Sequence, residues 1–212
     1  MDVRAEGAQQ CELRLARALG DEDGRAHAEA VGRPRSRRAL VPCRCGDDVL
    51  NVCDRFHLAL RDERRPGFLD RADDPWSTAQ RAVWGETSLD PYLGMNHVAP
   101  LVEALRPVDA PEQVVHSDFT ANVLFADDEP PAVLDLSAWW APVEYARAIV
   151  VGDALLWYGG DASVAERVEP QFFLRAVLFR KIVDRLLRLD EPEREGDDDL
   201  YAPVVELALS LA

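Results

Sequence analysis

The sequence predicts an α+β fold, mainly α, arranged around one β-hairpin. Three observations lead there. Apolar residues recur at helical spacing over most of residues 48–212. One stretch breaks that spacing: Val123-Leu124-Phe125, a connection rich in Asp and Pro from Ala126 to Pro131, then the apolar run Ala132 to Leu136. It reads as strand, turn and strand. Residues 1–47 show neither pattern, so the chain divides into an irregular or truncated N-terminal segment, 1–47, and a helical unit, 48–212.

In order along the chain, residues 8–19 have helical periodicity that stops at Gly20. Residues 20–48 are rich in charge, Gly and Pro and are expected to be mostly irregular, with a short helix over Gly24–Val31. The basic cluster Arg33, Arg35, Arg37, Arg38 reads as a solvated loop rather than an anion contact. From Asp48 to Asp62, Val49, Val52, Cys53, Phe56 and Leu60 make one apolar stripe, and Asp48 is the expected cap. Cys43-x-Cys45 with Cys53-x-x-x-His57 hints at zinc, but C-x-C is tighter than zinc ligand spacing, so Cys53 is expected in the core.

Arg64 to Trp76 reads as a loop, and Thr78 to Glu86 as a short helix carrying Trp84. A further helix follows Met95, with Val98, Leu101, Val102 and Leu105 inward, Pro107 ending it and His97 partly exposed at its start. Val143 to Tyr158 is apolar on nearly all sides, the pattern of a buried helix, so Asp153 within it must be paired or hydrogen-bonded. Pro170 suits the first turn of a long helix to Leu189, with Phe173, Val177, Phe179, Ile182, Leu186 and Leu189 inward. An acidic linker, 191–199, leads to a last helix over Ala202–Leu211.

Composition narrows the function. The net charge of −15 argues against a nucleic-acid or acidic-membrane binder, because phosphate backbones call for Lys and Arg. No run of eighteen apolar residues suggests a membrane span, and no signal-peptide pattern opens the chain. Four cysteines with no export signal imply free thiols and a cytoplasmic location. Nothing in the sequence sets the oligomeric state.

The hairpin carries the chemistry. If Phe125 faces Ala132 across the turn, Asn122 stands opposite Asp135 at its open end. Asp118 lies four residues before Asn122, with His116 beside it. Two carboxylates and an amide suit a hard cation such as Mg²⁺, which takes carboxylates together with phosphate oxygens.

The ordered set His116-Ser117-Asp118-x-x-x-Asn122, strand, turn, strand, Leu134-Asp135-Leu136 resembles the catalytic segment of the aminoglycoside phosphotransferases, a branch of the protein-kinase-like superfamily. It looks closest to an uncharacterised actinobacterial group of that superfamily. The resemblance covers about residues 48–212 and implies the helical C-terminal lobe. It implies that Asp118 orients and deprotonates a substrate hydroxyl. It implies that Asn122 and Asp135 hold Mg²⁺ on the phosphates of ATP or GTP, and that His116 braces the loop.

The sequence departs from that pattern. Ser117 replaces a glycine, the loop has three residues between Asp118 and Asn122 where four are common, and Ala146 stands where many members have a supporting aspartate. No G-x-G-x-x-G occurs and no lysine precedes Lys181, so the nucleotide-anchoring lobe is expected to be absent or truncated and its contacts are unassigned. Three functions follow: a phosphotransferase for a small-molecule hydroxyl, a non-catalytic kinase-like remnant that binds a ligand or partner, and a metal-dependent hydrolase using Asp118 and Asp135.

Overall fold

A computed structural model of the chain describes residues 45–126, 129–188 and 197–212. The helices expected near residues 8–19 and 24–31, the basic cluster, and Cys11 and Cys43 lie outside the described residues. The described part is α+β and mainly helical, as the sequence predicts.

Helix α1 is Cys45–Leu60. Its stripe Val49, Val52, Cys53, Phe56 and Leu60 is buried throughout. The helix begins earlier than expected, so Asp48 is an exposed first-turn residue rather than the cap. The segment read as a loop contains a 3-10 turn, Gly67–Arg71, because Leu69 must reach the core. Helix α2, Pro75–Val83, starts before the expected Thr78. Asp74 caps it by accepting from the Ser77 amide and hydroxyl, with Pro75 in the first turn. Helix α3, Val98–Ala104, begins after His97, whose φ of 68° is the left-handed conformation that His tolerates better than most residues.

Four strands form two antiparallel pairs. β1, Glu112–His116, pairs with β4, Ala138–Pro142, with His116 opposite Ala138. β2, Val123–Ala126, pairs with β3, Glu129–Val133. The hairpin is therefore real, and a second ladder at its base ties both of its ends together.

Helix α4 is Val143–Trp157, α5 is Pro170–Leu187 and α6 is Asp197–Leu211. The last begins inside the expected acidic linker. Glu169 caps α5 by accepting from the Gln171 and Phe172 amides. Every residue of α5 from Gln171 to Val183 is buried, because α2, α3, α4 and α6 pack around it. Phe173, Val177, Phe179 and Ile182 lie inward as expected, while Leu186 is half-buried and Leu189 is outside the described residues. α4 packs against α1, α5 and the β1–β4 pair. The strand pair thus presents the His116 end of β1 to the helical core, and the loop that follows rests on α4 and α5.

Candidate functional site

The site is built on the loop between β1 and β2. Val114 and Val115 anchor β1 in the core, and Phe119 is fully buried one residue beyond Asp118. Phe119 packs edge-on against His116 and Phe56, with centroids 5.4 Å apart in both cases. The loop is therefore pinned on both sides of Asp118 by apolar burial. It then turns through a 3-10 segment, Thr120–Asn122, closed by the Asn122 amide donating to the Phe119 carbonyl.

Two histidines fix the loop's backbone. His57 donates from Nδ1 to the Cys53 carbonyl (2.7 Å) and accepts at Nε2 from the His116 amide (2.9 Å). His116 accepts at Nδ1 from the Asp118 amide (3.2 Å), so the proton on its ring sits at Nε2, which faces the Leu134 carbonyl at 3.1 Å. Burial holds both imidazoles down at about 4, so they are neutral at pH 7. The His116 ring joins the carbonyl of Leu134, the residue before Asp135, to the amide of Asp118.

Ser117 is buried, and its hydroxyl and amide both donate to the Ser137 carbonyl. The side chain that replaces the expected glycine thus adds a bond between the loop and the chain entering β4. Asn122 donates from Nδ2 to the Asp118 carbonyl at 2.6 Å and lies 3.4 Å from its Oδ2. With the amide nitrogen turned to Asp118, its oxygen is the atom left to act as a ligand.

The hairpin register differs from the expected one. Val123 faces Val133 and Leu124 faces Ala132, and a bulge follows between Leu124 and Ala126. Asn122 accepts from the Leu134 amide, so it opposes Leu134 rather than Asp135. A one-residue slip would normally send a side chain to the other face of the hairpin. Here the strand has already ended, and Asp135 has a φ of 47°. That left-handed conformation, which Asp adopts more readily than most residues, turns the chain at this residue. Asn122 is half-buried and Asp135 exposed, so both can reach a solvated ion.

Arg180 is the residue that sequence reasoning missed. It reaches from α5 and donates from Nη1 to Asp118 Oδ1 at 2.9 Å. Its Nε and Nη2 each donate to the Asp153 carboxylate at 2.7 Å. Thr120 donates to the same carboxylate at 2.7 Å. Burial alone would push the guanidinium down, but Asp153 and Asp118 together hold it well above its usual value. Asp153 is thus paired as expected. It lies two helical turns beyond Ala146, on the same face of α4, and supports the loop through Thr120 and Arg180. The signal was present: Arg180 interrupts an apolar helix as Asp153 interrupts another, and two such charges call for each other.

The zinc hint does not survive in the described part. Cys53 is a buried free thiol pushed up by burial, and its Sγ lies 3.4 Å from His57 Nδ1. His57 spends both nitrogens on the backbone. Among the described residues no group of three or more His, Cys, Asp or Glu side chains is placed to hold a metal ion. The donor set at the hairpin is smaller, one amide oxygen and one carboxylate. That set fits Mg²⁺ only when phosphate or water oxygens complete the shell. Among the described residues no strand precedes Glu112, and Lys181 is buried on α5 with Nζ 4.8 Å from the centre of the Tyr201 ring. Lys181 therefore does not face the loop's carboxylates in the way Arg180 does.

No protein-family model matches the chain, and no curated protein matches it in sequence. Among the described residues no helix is long and apolar enough to cross a membrane.

Proposed function

We propose that this chain carries a kinase-like C-terminal lobe and acts as a phosphotransferase, moving the γ-phosphoryl group of ATP or GTP to a small-molecule hydroxyl. The observation that carries the reading is the His116 bridge. One neutral imidazole fixes the Asp118 amide and the Leu134 carbonyl, so a candidate base and a candidate metal ligand are set by a single side chain. In this reading Asn122 and Asp135 hold Mg²⁺, which supplies charge neutralisation at the phosphates. Arg180 occupies Asp118 Oδ1, and Oδ2, whose one contact is the long 3.4 Å approach of Asn122 Nδ2, keeps a lone pair for the acceptor hydroxyl. Asp118 would take that hydroxyl's proton as its oxygen bonds the γ-phosphorus and the nucleoside diphosphate leaves. The phosphates themselves need an anchoring segment in addition to the described residues.

The Asp118–Arg180 ion pair also supports a second reading, a kinase-like module that binds a ligand or partner without turnover, because one oxygen of the base is already engaged. Calorimetric titration of the full chain with ATP and GTP, with and without Mg²⁺, tests the proposal. Binding should require Mg²⁺ and should be lost in Asp135→Ala, with the helical circular dichroism unchanged. Absence of binding at about millimolar nucleotide, or equal binding without metal, overturns it. Binding without any phosphorylated product leaves the second reading in place.

A further inference from the structure

The cavity beside Asp118 has a composition of its own. It encloses about 220 Å³ between the Thr120 turn, the C-terminal end of α4 and the C-terminal half of α5. Its walls are Trp76, Trp157, Tyr158, Val183 and Leu187. Trp157 and Leu187 are about half exposed, so their apolar surface faces an open mouth rather than the core. Large apolar side chains left open around a polar floor are the signature of a small-molecule site.

The three carboxylates that line this cavity are each ion-paired. Asp118 and Asp153 share Arg180, which also lines it, and Asp184 pairs at 2.5 Å with Arg188 outside it. Arg180 also lies 5.5 Å from the centre of the Trp157 ring, which steadies that wall. An apolar cavity of about 150 Å³ accepts benzene, so the space between these walls seats a single ring with a short substituent, and anything larger extends through the open mouth. A polycationic molecule of several rings would have to compete with Arg180 and Arg188 for carboxylates that are already paired.

We infer that this cavity binds a single-ring, apolar alcohol, neutral or singly cationic, with its hydroxyl donating to Asp118. The role of the ligand as phosphoryl acceptor rests on the phosphotransferase reading; its binding does not. The ring lies against Trp157 and Leu187, and the hydroxyl reaches the carboxylate oxygen that Arg180 leaves open. A site that hydrogen-bonds a hydroxyl rejects the analogue that lacks the donor, because its own polar group is then left unpaired.

The test uses the full chain and 2-phenylethanol, followed by Trp fluorescence and by saturation-transfer NMR. The alcohol should bind with a millimolar or tighter Kd, and its methyl ether at least fivefold more weakly. Trp157→Ala and Leu187→Asp, both at half-exposed positions, should each weaken binding about tenfold without changing the thermal midpoint by more than ~2 °C. Asp118→Ala should erase the preference for the alcohol over the ether. Kanamycin, a polycationic aminoglycoside, should not displace the alcohol. Equal binding of alcohol and ether, displacement by kanamycin, or no binding of the alcohol overturns the inference. Nucleotide titration in the same samples keeps the two claims apart, since Mg²⁺-dependent ATP or GTP binding without alcohol binding refutes only the pocket assignment.

Discussion

Arg180 and Asp153 are each held inside a buried helix, and Asp153 would be an uncompensated charge without Arg180, whereas Arg180 would keep Asp118. The pair makes two hydrogen bonds of 2.7 Å, and Thr120 fills a further acceptor position on Asp153. Removing one partner of such a pair is strongly destabilising because the other stays buried. Arg180→Ala should therefore lower stability by about 3–5 kcal/mol in urea denaturation. A loss under about 1 kcal/mol would mean that Asp153 finds water or another donor. His57 gives a pH-dependent prediction. Its folded value, about 4, lies below the ordinary 6.5 because burial favours the neutral ring. The unfolded chain thus binds the extra proton between those two values, so stability is complete above pH 6.5 and is lost as the pH falls toward 4. Between pH 7 and pH 5 the loss should be roughly 2 kcal/mol for this one histidine. A urea midpoint that stays flat over that interval contradicts the buried neutral imidazole.

At the scale of elements, the hairpin shows what local sequence can and cannot specify. Two strands around a turn were legible from the apolar runs Val123 to Phe125 and Ala132 to Leu136, but the second strand is Glu129–Val133, so Glu129 to Pro131 lie in the strand rather than the turn and Leu134 to Leu136 lie beyond it. The register was not, because the bulge after Leu124 depends on how the strands twist and leaves no mark in residue type. The bulge has a measurable consequence. Val123 is buried and Phe125, two residues on, is exposed, although unbroken alternation would bury both. Val123→Ala should cost roughly 1–3 kcal/mol, and Phe125→Ala, despite the larger side chain, no more than about 0.5 kcal/mol. The reverse order would restore the register with Phe125 facing Ala132. The β1–β4 ladder was not foreseen at all. Its partners are separated by the loop and the hairpin, and a pairing of that kind has no local signature. The helices were legible in kind but not in their starts, since Asp74 caps α2 four residues before the expected Thr78 and Cys45 starts α1 ahead of Asp48.

At the scale of the molecule, the sequence named His116, Asp118, Asn122 and Asp135; His116 joins the Asp118 amide to the Leu134 carbonyl next to Asp135, and Asn122 donates to the Asp118 carbonyl. What the sequence could not show is the second layer that holds them. His57 comes from α1, Asp153 from α4 and Arg180 from α5, so that layer exists only once three helices have packed. The same packing ties the loop down twice more: Ser117 donates to the Ser137 carbonyl, and Thr120 donates to Asp153. In the proposed function, Asn122 and Asp135 form a metal site used with a nucleotide. Paramagnetic line broadening by Mn²⁺ with ATP, read in a ¹H–¹⁵N correlation spectrum of the full chain, tests it directly. The net charge of −15 makes scattered surface binding a genuine competing outcome. Broadening should centre on residues 118–122 and 134–136, depend on ATP and vanish in Asp135→Ala, with α6 unaffected. Broadening spread over the acidic surface, or indifferent to ATP and to Asp135→Ala, would contradict that site.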